Sequence, residues 1–173
     1  PEAGYLSQEN QLYRIQIVTG GTRAQARFVW SRENGAVTAR LERNADGAFV
    51  LRGDRDDEAL GFVSGGWVEV YDDHDTALGR TGRLARMTLT DGVASFTPGI
   101  GSFEAMVNPR LRRWDHDPDG PSRLPLLLTP TVLERGVQVE FTAGSYAEGD
   151  FWVVEARAAT GTVVWPPLAG DAP

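Results

Sequence analysis

The chain contains no cysteine and no lysine. Without cysteine there is no disulfide, no thiol nucleophile and no thiolate zinc site, while the compartment stays open because exported proteins also do without it. Without lysine, Schiff-base and isopeptide chemistry are excluded, and all 17 basic residues are arginine. Histidine is scarce, with only His74 and His116. No apolar run approaches the roughly 20 residues that carry a helix through a bilayer, so insertion of that kind is not expected. Helical periodicity of useful length is also missing. The formal net charge is −7, and a duplex binder needs a basic face to neutralise phosphates, so nucleic acid is not an expected partner.

What is present is alternation. From Gly136 to Trp165 every local signal points to strands: Val137, Val139 and Phe141 alternate with Gln138, Glu140 and Thr142, and Trp152, Val154 and Ala156 share a face. Gly144, Gly149-Asp150 and Thr160-Gly161 supply turns, so this stretch is expected to form a three-stranded meander. Near the other end, Tyr13, Ile15 and Ile17 oppose Arg14 and Gln16, and Ala26, Phe28 and Trp30 line up on the returning strand. Asn34-Gly35 has the composition of a type I′ hairpin, with Val37, Ala39 and Leu41 expected to answer across it.

Between these meanders lie shorter strands at Ala48–Leu51, Trp67–Tyr71, Leu84–Thr90 and Val93–Thr97, the last two joined by Asp91-Gly92. Leu124–Leu133 carries Pro125 and Pro130, which marks an edge strand or a return crossover. With 173 residues the chain can bury a sizeable core. The expected fold is all-β: an antiparallel β-sandwich-like outer domain from residues 1–47 and 124–173, with a small β-barrel and acidic loop inserted over 48–123. A start at Pro1 without methionine reads as a fragment of a longer protein.

Chemistry is concentrated in Arg112-Arg113-Trp114 and the turn that follows. Asp115, Asp117 and Asp119 alternate ahead of Gly120, the opening half of a calcium loop, and would be the calcium ligands. The second half is missing, since Leu126 stands where the bidentate Glu belongs and Pro118 stiffens the middle; the alternative is a solvated acidic turn. Trp114 reads either as a lid over the barrel mouth or as an exposed contact residue, with Arg112 and Arg113 binding carboxylate or stacking on its ring. Trp30, Trp152 and Trp165 read as core. Asp72, Asp73, His74 and Asp75 form a second acidic cluster, read as turn formers before metal ligands. Ser102 and Ser145 follow glycines but lack the Gly-x-Ser-x-Gly elbow, and no catalytic residue is nominated.

The segments ENQLYRIQI (9–17), FVWSRENGAV (28–37), GWVEVYD (66–72), LRRWD (111–115) and 136–166 together resemble a family of bacterial domains of unknown function. Such domains occur in long proteins associated with phage-tail-like contractile injection systems. The resemblance implies a non-enzymatic structural or interaction domain acting in assembly or surface adhesion, with other proteins of a tail-like assembly as partners; cell-surface glycan is a further candidate partner, from the five tryptophans whose flat rings can stack on sugar faces. The resemblance also implies a particle assembled in the cytoplasm and released. The alternatives are a carbohydrate-binding module, calcium-dependent through the acidic turn, and a glycoside hydrolase or other wall-degrading domain needing two carboxylates across a cleft.

Overall fold

A computed structural model describes residues 10–53, 61–157 and 162–164, the last three by backbone alone. The strands in chain order begin with β1 (Gln11–Thr19), β2 (Gly21–Thr22), β3 (Arg27–Ser31), β4 (Thr38–Arg43), β5 (Phe49–Arg52) and β6 (Trp67–Tyr71). A short helix α1 (Asp73–Ala77) leads to β7 (Arg83–Thr90), β8 (Val93–Thr97) and β9 (Arg110–Trp114). The remainder are β10 (Leu124–Pro125), β11 (Thr131–Glu134), β12 (Val137–Val139), β13 (Ser145–Tyr146), β14 (Phe151–Arg157) and β15 (Thr162–Val164). The protein is all-β with a closed barrel, as its alternation indicates, and divides into two compact units, residues 1–34 with 124–173 and residues 35–123.

In the first unit β1 is the centre of a five-stranded sheet of order β10-β3-β1-β14-β15. Strands β1 and β14, far apart in sequence, therefore meet as hydrogen-bonded neighbours, with Tyr13 opposite Val154 and Ile15 between Trp152 on β14 and Trp30 on β3. Tyr13, Ile15, Ile17, Phe28, Trp30 and Val154 form one buried core, against which Trp152 packs half-buried; Trp165 lies outside the described residues. Leu124–Pro125 is an edge strand, consistent with its proline.

The expected C-terminal meander is split in two. Strand β12 pairs with β11 through a tight Arg135-Gly136 turn, both residues at positive φ (46° and 83°), and β14 pairs instead with β1 and β15. Between them Ser145-Tyr146 peels off to pair with β2. Val137 and Val139 still enter the core, because alternation fixes the face a residue shows whichever strand lies beside it.

The second unit is a closed antiparallel barrel of order β4-β5-β8-β7-β6-β9. Ala39, Leu41, Val68, Val70, Met87 and Leu111 fill it, and Asp91-Gly92 turns β7 into β8 with φ of 50° and 78°. The barrel begins earlier than position 48. Asn34 and Gly35 do adopt the hairpin dihedrals (φ 54° and 66°), but the Asn34 N–H donates to the Leu12 carbonyl at 2.7 Å and β4 pairs with β5 and β9, not with β3. The turn hands the chain from one unit to the other, so residues 35–47 belong to the barrel and not to the outer domain.

Leu111 is fully buried among the barrel side chains. Leu111→Ala is expected to cost about 2–5 kcal/mol, read as a lower urea midpoint by tryptophan fluorescence; an unshifted midpoint would remove Leu111 from the core.

Candidate functional site

Strands β6 and β9 pair in a register that places Trp67 opposite Trp114, Glu69 opposite Arg112 and Tyr71 opposite Arg110. Val68, Val70 and Leu111 point into the barrel, so Trp67, Glu69, Tyr71, Arg112 and Trp114 form a row on its outer side. All five residues of β6 are nevertheless buried. A strand whose two faces are both covered carries bulky side chains on both, which is the pattern of Trp67-Val68-Glu69-Val70-Tyr71.

Glu69 is the chemical centre of this row, with only 1% of its surface exposed. One carboxylate oxygen receives the Arg112 guanidinium at 3.2 Å and the other the Gly82 N–H at 2.8 Å. Glycine is required at 82, since a β-carbon there would lie 2.3 Å from the Val70 carbonyl. The Arg112 guanidinium sits 4.7 Å from the centre of the Tyr71 ring and 6.0 Å from that of Trp114, so the cation is held by a carboxylate and two aromatic faces. Trp114 is therefore a strand residue 2% exposed, neither a loop-borne lid nor a surface contact. Arg113 is also turned inward to protein: it donates to the Gly61 carbonyl at 2.6 Å and lies 2.9 Å from Asp115.

The acidic turn after β9 is a fastening. The Asp115 carboxylate is 6% exposed and faces Arg113. Asp117 accepts the Asp119 N–H on its side chain at 2.9 Å and the Trp67 indole N–H on its carbonyl at 3.1 Å. Asp119, 86% exposed, faces Arg86 at 3.0 Å. The three nominated calcium ligands thus diverge, and among the described residues no three acidic or imidazole groups converge as a metal cluster.

His116 sits between these aspartates, 2% exposed, with its ring stacked on Trp67 at 5.8 Å and 6°. Among the described residues neither ring nitrogen meets the full geometry of a hydrogen bond, although the Ser122 backbone acts on the ring. Burial lowers its pKa to about 4, against the opposing pull of the Ser122 backbone and of Asp115 and Asp117.

The second acidic cluster is the start of α1. Asp72 is its N-cap, accepting the Asp75 N–H at 3.0 Å on one oxygen and the Val107 N–H at 3.1 Å on the other, with His74 Nδ1 at 3.4 Å. Burial works to raise its pKa, but the two backbone donors and His74 together outweigh it and hold the carboxyl below the ordinary value. Asp73 faces Arg110 at 3.5 Å and Asp75 faces Arg80 at 3.4 Å. Ser102 precedes a short 3₁₀ turn at Phe103–Ala105 and Ser145 begins β13, neither on a strand-to-helix elbow.

Because the folded pKa of His116, about 4, lies below the ordinary 6.5, the unfolded chain binds more protons between those values. The contribution is complete above pH 6.5 and is lost as pH falls toward 4. His116→Phe should flatten this part of the stability curve in urea titrations, and curves that stay parallel to wild type would place the imidazole in water.

No curated protein matches the chain. No solved structure does either. Residues 1–172 match the family described as "Family of unknown function (DUF6519)". Spanning nearly the whole sequence, that match makes this chain a member of the DUF6519 family.

Proposed function

We propose that this chain is a non-enzymatic structural and interaction domain of a phage-tail-like, contractile injection particle component, acting in assembly or surface adhesion. The observation that carries this reading is the internal use of its reactive-looking groups. Glu69, Arg112 and Trp114 are engaged on the outer side of the barrel and Arg113 is tied to Asp115 and the Gly61 carbonyl, so these groups are taken up by contacts within the chain. A strand framework in which β1 and β14, far apart in sequence, are hydrogen-bonded together suits a part that must hold its shape under load, because opening of this sheet first has to break the β1–β14 ladder. Its partners would be other proteins of the assembly, and its place a particle built in the cytoplasm and then released.

Particles sedimented from the native cells should contain the chain in fixed ratio to tube and sheath subunits, followed by quantitative mass spectrometry. Recovery only in the soluble fraction would contradict the proposal. So would release of reducing sugar from peptidoglycan by the purified chain, abolished by replacing one carboxylate.

A further inference from the structure

Within the barrel unit, α1, the chain from Arg80 to Arg83 and the Ser102–Met106 turn line an open cleft of about 450 Å³. That falls within the size range of small-molecule sites, roughly 300–1,000 Å³. Its walls are cross-tied, since Asp72 accepts the Val107 N–H and the Asp73 N–H donates back to the Val107 carbonyl at 3.0 Å.

The charges lining the cleft are not equally engaged. Asp72 is saturated by two backbone donors and His74, and Asp75 faces Arg80. Arg83 is different: its Nη1 donates to the Ile100 carbonyl at 2.5 Å and approaches the Met106 sulfur at 3.7 Å, which fixes the side chain. Among the described residues no carboxylate lies within ion-pairing distance of it. Among the described residues the cleft therefore offers one exposed but tethered guanidinium without a counter-charge, beside the Asp75 carboxylate and the Ser102 hydroxyl as hydrogen-bonding groups and Ala105 and Met106 as an apolar wall.

We infer that this cleft binds a sugar residue bearing a carboxylate, of the hexuronic acid type. A single carboxylate matches one planar, pre-positioned guanidinium. Ring hydroxyls need acceptors close by, and the C–H face of a pyranose needs an apolar wall. A phosphate dianion fits less well, because its second charge would find only the one unengaged guanidinium and would face the Asp72 and Asp75 carboxylates that also line the cleft. A neutral sugar would leave Arg83 unanswered. The inference deepens the adhesive side of the proposed function and rests on it, supplying the chemistry of the surface that would be gripped.

The test is titration calorimetry of the 173-residue chain with D-glucuronate, D-glucose and inorganic phosphate. Glucuronate should bind most tightly. Arg83→Gln should weaken it by about tenfold or more, the loss of one charge-assisted contact, with an unchanged circular dichroism spectrum. Because Arg83 also tethers Ile100, Ala105→Trp serves as a second variant: Ala105 is exposed, so the indole fills the cleft without entering the core, and binding should vanish. Absence of glucuronate binding, equal affinity for glucose, tighter binding of phosphate, or undiminished binding by Ala105→Trp would each overturn the inference. Co-sedimentation with particles would be untouched by any of these results, so the two proposals fail separately.

Discussion

A carboxylate taken out of water is costly unless its partner arrives in the right place, and Glu69 is the point at which this protein meets that constraint. Arg112 answers it only if β9 pairs with β6 in one register. A slip of one residue would bring Arg113 opposite Glu69 and turn Leu111 out of the barrel. The ion pair thus selects the alignment that closes the cylinder between β4 and β6. Neighbouring features depend on the same alignment: Trp67 lies opposite Trp114, the turn after β9 delivers the Asp117 carbonyl to the Trp67 indole, and His116 stacks on that ring.

The first unit is organised by a simpler rule. Strand β1 is flanked on both sides, and its inward residues Tyr13, Ile15 and Ile17 meet aromatic and β-branched partners from β3 and β14. Apolar burial supplies the stabilisation there, with the Tyr13 and Trp30 rings 6.0 Å apart, and no buried ion pair is needed to fix the register because a one-residue slip would expose the whole inner row. Both units are therefore frameworks, and the proposed role in a particle follows from what frameworks do: they present loops and clefts in fixed positions.

Faces were more legible in the sequence than partners. Period-two alternation identified the inward residues of β1, β3, β12 and β14, and Asp91-Gly92 identified its hairpin, because both signals are local. Asn34-Gly35 gave its dihedrals correctly and its pairing wrongly, since a type I′ turn fixes four residues and not the destination of the strand beyond. The Arg135-Gly136 turn lacked the usual Asn or Asp, and α1 has too few residues to show a period. At the site, Arg112, Arg113, Trp114 and the alternating aspartates stand out in the sequence, but the contacts they make within the chain, Arg112 with Glu69, Arg113 with Asp115 and Asp119 with Arg86, are not legible there. Charge and aromaticity mark a residue as consequential, while burial on the second face of a strand depends on partners that periodicity does not name. Glu69 shows the same gap: between Val68 and Val70 it has the pattern of a solvated position and is among the most buried side chains of the described residues.

The claim that the arginine-tryptophan row is internal framework is tested most directly by a double-mutant cycle on Glu69→Gln and Arg112→Met, read as unfolding free energy in urea. The account predicts that each single change destabilises and that the pair is coupled by about 2 kcal/mol. Additive effects, with Arg112→Met alone nearly neutral, would show Arg112 to be a solvent-facing side chain and contradict it.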